Sequence, residues 1–388
     1  MIVENLPCPF DRRVWQEALA LRAHGYQVTV ICPMGRGYDA AYESIDGIHV
    51  YRHALPIEAD SGYGYALEYT LALLAEFWLS LRVARRHGFD VIHACNPPDT
   101  IFLIGRFFRL FGKRFIFDHH DINPELYEAK FGRRDTLAYR VLRLLERWTF
   151  AAADVSIATN DSYRRIAIER GGMSPERVFV VRSGADLARV RCVPPNPALR
   201  RGKRFLVGYV GVIGRQEGLD LLLDAIAWIR SHLAREDVHY VIVGDGTELP
   251  ALRTQAHRLK LTDCVEFTGR VPDAKLWEIL STADVCVNPD RANTMNDLST
   301  MNKIIEYMAL GKPIVQFDLT EGRFSAQDAS VYAKPNDVID FASKLCALLD
   351  DATARERMGE FGRRRVEQAL AWEHQVPQLL AAYRKALE

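Results

Sequence analysis

The chain has 388 residues, 48% hydrophobic and 26% charged, so it reads as globular and too long for one compact core; two domains of just under two hundred residues each are expected. Lysine plus arginine and aspartate plus glutamate both total 50, and this balance gives no support to a nucleic-acid partner. Seven scattered cysteines, none in a Cys-x-x-Cys pair, point to reduced side chains in a cytoplasmic protein and away from zinc or a disulfide framework.

The start, Met1-Ile-Val-Glu-Asn, turns polar at once and reads as no signal peptide. It leaves a clipped first strand: either the native start lies upstream of Met1, or an edge strand is short. From there, short Val/Ile-rich runs alternate with helical patterns, the signature of βαβ units around a parallel sheet buried on both faces. In the first half, strands are predicted over 27–32, 91–93, 114–118, 155–159 and 178–182. Helices are predicted over 11–24, with Asp11 as N-cap and Gly25 as stop, and over 67–87 and 136–152. The greasiest run, 69–81, is too short to span a bilayer and carries Glu76.

The stretch 193–203, Val-Pro-Pro-Asn-Pro-Ala-Leu-Arg-Arg-Gly-Lys, is proline-rich, basic and aperiodic, and reads as a linker. It sets the expected domains at 1–195 and 203–371. The second half then restarts the rhythm, with strands over 205–210, 240–244, 265–268, 285–288 and 314–317. Helices fall over 219–232, 249–260, 274–281 and 300–310. Two more helices, 353–369 and 372–387, have no strand after them, and the last is expected to pack back onto the first domain.

In open parallel sheets, ligands bind beyond the carboxyl ends of strands, at the starts of the helices that follow. That rule selects Asn296-Asp-Leu-Ser-Thr-Met-Asn-Lys-Ile-Ile-Glu-Tyr-Met-Ala-Leu-Gly-Lys-Pro-Ile-Val, read as a polar loop, a helix, a stop at Gly311 and a buried strand. Ser299 and Thr300 are expected to cap the helix and leave its positive end facing outward. Lys303 and Glu306 share a face. A cation in the first turn opposes the helix dipole unless an anion binds there, and Glu306 suits paired sugar hydroxyls. The competing reading is a solvated Lys–Glu pair on a surface helix.

A second segment, Val207-Gly-Tyr-Val-Gly-Val-Ile-Gly-Arg-Gln-Glu-Gly-Leu, follows a strand and opens a helix. Gly211, Gly214 and Gly218 suit close backbone approach to a phosphate, although the spacing is not a clean G-x-G-x-x-G. Arg215 adds a cation there, or is simply an exposed arginine. In the first half, Phe117-Asp-His-His-Asp-Ile-Asn-Pro-Glu closes another strand. No third ligand at suitable spacing is evident, so no metal is expected. His120 reads as a hydrogen-bond donor facing the cleft, and His119 as a structural histidine. The run 101–114 mixes apolar bulk with four cations and no acid. It reads either as a patch resting on anionic lipid or as a core helix with a basic rim.

Taken together, these blocks resemble the retaining glycosyltransferases of family 4. The resemblance runs through Pro9-Phe-Asp-Arg-Arg-Val-Trp, Gly25-Tyr-Gln-Val-Thr-Val-Ile, Asp90-Val-Ile-His-Ala-Cys-Asn-Pro-Pro-Asp and Phe117-Asp-His-His-Asp. It continues through Val181-Arg-Ser-Gly-Ala-Asp-Leu, Val243-Gly-Asp-Gly-Thr-Glu-Leu, Phe267-Thr-Gly-Arg-Val-Pro and Glu306-Tyr-Met-Ala-Leu-Gly-Lys-Pro-Ile-Val. It implies an α/β protein of GT-B architecture, two facing Rossmann-like domains with an interdomain cleft. It also implies no metal or cofactor, the nucleotide sugar being a substrate, UDP first among the nucleotides. Carried over, Glu306 binds the ribose diol, Ser299, Thr300, Asn302 and Lys303 meet the diphosphate, and the backbone at Arg270 and Val271 holds the base. His120 contacts the transferred sugar. The bacterial surface-polysaccharide members look closest, with a glycan or lipid-linked acceptor and peripheral contact at the cytoplasmic face of the inner membrane.

The chain also departs from that pattern. The family's second glutamate falls on Leu298, with Asp297 beside it as a substitute. Its usual arginine and lysine fall on Val212 and Glu217, with Arg215 as the compensating cation. Two other classes fit these departures: an epimerase on the same fold, and a catalytically silent sugar-nucleotide binding protein.

Overall fold

The computed structural model describes residues 1–54 and 62–388. The chain divides into two compact units, the first made of Met1–Ser183 with Gln375–Glu388 and the second of Gly184–His374.

The first unit runs β1 (Ile2–Val3), α1 (Arg12–Ala23), β2 (Thr29–Pro33), β3 (Tyr42–Ile45), β4 (Ile48–His53), α2 (Gly62–Arg86), β5 (Val91–Cys95) and α3 (Phe102–Arg109). It continues with β6 (Arg114–His119), α4 (Asn123–Phe131), α5 (Leu137–Ala152), β7 (Val155–Ala158), α6 (Asp161–Arg165) and β8 (Val178–Val180). Its described strands form one sheet in the order β3-β4-β2-β1-β5-β6-β7-β8. Every pairing is parallel except β3 with β4. That hairpin lies outside the predicted elements, yet its turn is Asp46-Gly47, both at positive φ (49° and 72°), the pair such a tight turn demands. β1 is short, as the sequence reads, but it lies at the centre of the sheet and is not an edge.

The second unit runs β9 (Phe205–Val210), α7 (Leu219–Leu233), β10 (Val238–Val243), α8 (Leu249–Arg258), β11 (Val265–Gly269), α9 (Asp273–Thr282) and β12 (Val285–Asn288). After these come α10 (Thr294–Leu298), α11 (Asn302–Ala309), β13 (Ile314–Phe317), α12 (Thr320–Ala326), β14 (Ser330–Ala333), α13 (Val338–Asp350) and α14 (Ala352–Arg365). The sheet is wholly parallel, in the order β11-β10-β9-β12-β13-β14. The order of strand addition reverses between β9 and β12, so a ligand crevice is expected at their carboxyl ends. Alternation along β9 fills both faces: Phe205, Val207 and Tyr209 join one apolar cluster, while Leu206 joins the other.

The proline-rich stretch is not a loose linker, and the boundary falls at Ser183/Gly184 instead of near 200. Its backbone is held by the second unit. Val193 N–H donates to Ser281 Oγ (3.1 Å), Asn196 N–H donates to Thr282 Oγ1 (2.9 Å), and Arg200 forks onto Asp284. At the other end, Trp372 N–H donates to Ala185 O, which keeps 372–374 in the second unit. The helix that returns to the first unit is α15 (Val376–Leu387), burying Leu379, Ala382, Tyr383 and Ala386 against the sheet.

Candidate functional site

In the second unit, the loops after β9 and β12 meet at the reversal point of the sheet. Glycine permits the contact: a Cβ on Gly218, at φ +63°, would lie 2.0 Å from Pro289 O. The neighbouring turn is as tight, since a Cβ on Gly244, at φ +141°, would lie 1.8 Å from Gly211 O. So Gly211 serves loop-to-loop packing, and a Cβ on it would itself lie 2.5 Å from Tyr209 Oη. Gly214 opens the short turn holding Arg215 and Glu217; Arg215 is exposed and has no partner among the described residues.

Beneath this turn lies a buried polar cluster. Lys303, in the first turn of α11, is 8% exposed and places its ammonium against Glu217 and 2.9 Å from Asp290 Oδ1. Tyr209 Oη donates to Glu217 Oε2 at 2.9 Å and stands 3.4 Å from the lysine nitrogen. The anion that offsets the helix dipole at Lys303 is therefore a pair of protein carboxylates. Burial opposes the charge on Lys303, but Asp290 and Glu217 outweigh it and hold its pKa above the usual lysine value. Burial, with help from Glu217, pushes Asp290 up to about 7 against the pull of Lys303. Burial works against Glu217 too, but Lys303 prevails and holds it below its ordinary value.

Glu306 does not pair with Lys303. Its Oε1 accepts from Arg189 Nη2 at 3.0 Å, while Arg189 Nη1 donates to Asp273 Oδ2 at 3.1 Å and the guanidinium lies over the Trp277 ring. Arg189 thus ties Glu306 to the start of α9, directly after the turn that carries exposed Arg270 and half-buried Val271. The predicted caps are displaced. The residue before α11 is Met301, without a side-chain cap, because the polar loop folds into α10 and Ser299 Oγ turns back to Met295 O (2.7 Å). Thr300 is half-buried and Asn302 exposed. Asp297, the expected substitute, has oxygens that accept from Thr320 N–H (2.8 Å) and Thr320 Oγ1 (2.9 Å), capping α12.

In the first unit, Asp118 at the end of β6 is fully buried and serves as a hub. It accepts from Arg13 Nη2 (3.0 Å), His120 Nε2 (2.6 Å) and His93 Nε2 (3.2 Å), and Tyr383 Oη of α15 stands 3.0 Å from His93 Nδ1. His120 Nε2 also lies 2.9 Å from Arg13 Nε; one nitrogen cannot donate to the carboxylate and accept from the guanidinium, and the shorter contact to the charged oxygen assigns the proton to Nε2. Burial opposes ionisation of Asp118, but Arg13 and His120 win and hold its carboxyl well below the usual range. Glu17, buried beside it, is driven well above its usual value by burial and by the Asp118 charge. His119 is structural, as expected: it is buried among Phe117, Phe150 and Tyr163, and burial lowers it to about 3.

Two groups here have ligand atoms within 4.8 Å of one another, His93–Cys95–Asp118 and Glu17–Asp118–His120. In the second group the cation is a guanidinium: Arg13 stands 3.0 Å from Asp118 and 3.1 Å from Glu17. The fork and hub partners Arg13, Glu17, His93, Arg189, Asp290 and Tyr383 escape sequence reasoning. Arg13 and His93 carried a signal, inside the blocks Pro9-Phe-Asp-Arg-Arg-Val-Trp and Asp90-Val-Ile-His-Ala-Cys-Asn-Pro-Pro-Asp.

Residues 11–184 match the glycosyl transferase 4-like domain, and residues 204–351 match the glycosyl transferases group 1 domain. A D-inositol 3-phosphate glycosyltransferase of Thermomonospora curvata is 29% identical over 276 residues, covering 66% of this chain and 62% of that relative's length. Among solved structures, the sucrose-phosphate synthase of Thermosynechococcus elongatus superposes with a TM-score of 0.78 at 19% identity, covering 96% of this chain and 92% of that one. Anabaena HepE, in its UDP-glucose complex, gives 0.73 at 16% identity, covering 99% and 98%. With both of its parallel-sheet units matched in sequence and in fold, the chain belongs to glycosyltransferase family 4, of the GT-B fold.

Proposed function

We propose that the chain transfers a sugar from a nucleoside diphosphate sugar, UDP by preference, to a glycan or lipid-linked acceptor at the cytoplasmic face of a membrane, retaining the anomeric configuration. One observation carries the donor assignment. At the reversal point of the second unit's sheet, the start of α11 brings Lys303 under the β9 turn, and one helical turn later Glu306 is aimed by Arg189. Glu306 then takes the ribose diol, the turn at Arg270 and Val271 takes the base, and the backbone around Gly211, Gly214 and Ser299–Lys303 takes the diphosphate. UDP and UDP-glucose in the HepE structures support a uridine donor. His120, held in orientation by the bond from its Nε2–H to Asp118, contacts the transferred sugar.

No metal or other cofactor is required in this reading. The leaving diphosphate is stabilised by the helix start and Lys303, and the acceptor hydroxyl releases its proton toward that phosphate. Before Lys303 can serve a diphosphate, it must loosen from Asp290 or Glu217. With a pKa near 7, Asp290 can take up a proton and release it. The second reading, a sugar-nucleotide binder without transfer, is favoured by Leu298, Val212 and this double clamp on Lys303.

Thermal shift with a panel of nucleoside diphosphates tests the donor site, because a ligand at a hundred times its Kd adds about 2.7 kcal/mol to stability. UDP is expected to raise Tm, and Glu306→Ala is expected to lower sugar transfer by about two orders of magnitude, the loss of roughly 3 kcal/mol of charged hydrogen bonding. A folded protein whose Tm no nucleotide moves overturns the assignment. Nucleotide binding without transfer to any acceptor selects the silent reading, and a new sugar formed from donor alone selects an epimerase.

A further inference from the structure

The predicted lipid patch, 101–114, accounts for only part of a much larger face on the first unit. One side of α3 is core, with Phe102, Ile104, Gly105 and Phe108 buried, while Leu103, Arg106, Arg109, Leu110 and Phe111 are exposed. Beside it, α5 exposes Leu137 (77%), Val141 (44%), Leu144 (42%) and Trp148 (45%). Their spacing of four, three and four residues puts all four within an arc of roughly 60° at about 100° per residue. Arg140, Arg143 and Arg147 form a second exposed row along one flank of that stripe, and none has an ion-pair partner among the described residues. The only acid of α5, Glu146, is turned inward to Arg170. The two helices are continuous through Phe102 against Trp148, and α2 joins through Phe77 against Phe107, adding exposed Leu74, Trp78 and Arg82.

We propose that the α5 stripe with its arginine row, extended by the end of α3, is a docking surface for a bilayer containing anionic phospholipid. An apolar stripe flanked by arginines matches an interfacial helix, whose side chains enter the acyl boundary while the cations meet lipid phosphates. No helix of the described residues is long and apolar enough to cross a membrane, so this helix lies on the surface. Charge selects lipid over a second copy of the chain. A self-paired interface would set the arginine row against itself, with no exposed carboxylate on α5 to answer it. A nucleic acid would satisfy the arginines but leave Leu137, Val141, Leu144 and Trp148 without a role. The inference deepens the proposed use of a lipid-linked acceptor and rests on that reading for its purpose; the binding itself rests on the surface alone.

The test is co-sedimentation of the full chain with vesicles of phosphatidylcholine alone and of equal parts phosphatidylcholine and phosphatidylglycerol. Anionic vesicles are expected to retain the protein at least about tenfold better than neutral ones. Leu144→Glu and the pair Arg140→Glu with Arg143→Glu are each expected to weaken retention by at least about tenfold. Tm and the shift produced by UDP should not change, which separates this inference from the donor assignment. Should Leu144→Glu fail to fold, the arginine pair decides. No retention on anionic vesicles, equal retention on neutral ones, or retention that the variants leave intact overturns the proposal. So does a dimer abolished by Leu144→Glu in a protein that ignores vesicles.

Discussion

Lys303 shows how a residue can be found from sequence while its partners cannot. The anomaly of a cation in the first turn of a helix is legible from spacing alone. Its solution, Asp290 thirteen positions earlier and Glu217 eighty-six positions earlier, exists only once β9 and β12 lie side by side. The cluster also makes a pH prediction. Asp290 titrates near 7 in the folded protein and near 3.8 in the unfolded chain, so between those values the folded state holds a proton that the unfolded state has lost. Its contribution to stability is full below about 4 and is lost as pH rises toward 7. Asp290→Asn removes that slope, so the variant should gain Tm relative to wild type as pH rises from 4 to 7. Parallel Tm curves over that range would refute the assignment.

At the scale of elements, the βαβ rhythm locates strands well because a parallel strand buried on both faces must be a short, continuous apolar run. β9, β12 and β13 fall where their sequences place them. The loops were harder. The polar loop before α11 becomes α10, and its aspartate caps α12, because backbone groups brought inward need partners that no local pattern reveals. Glycines at these loops carry a definite prediction. Gly244→Ala forces a Cβ into Gly211 O at a left-handed φ, so the variant should lose more than about 2 kcal/mol in urea unfolding. A loss below about 0.5 kcal/mol would mean that the two turns are not in contact.

For the whole molecule, α15 is the element that sequence position most obscures. It follows the second unit in the chain but belongs to the first, filling it with Leu379, Ala382 and Tyr383 and closing the line Tyr383–His93–Asp118–His120. Burying a leucine and a tyrosine side chain is worth about 1.5–3 kcal/mol each. Removing residues 376–388 should therefore expose the first unit to limited proteolysis while the second resists; equal resistance of both units would show that α15 contributes nothing to the first. The amino-acid sequence by itself determined the α/β class, two units, their strand rhythm and the family blocks, and it singled out Lys303, Glu306 and His120 as candidates, because these depend on periodicity and short motifs. Tertiary structure alone decided the boundary at Ser183, the partners that clamp Lys303 and aim Glu306, and the exposed stripe on α5. Each of those depends on which distant segments share a surface, and a helix looks the same in sequence whether its apolar face meets a sheet or is left bare.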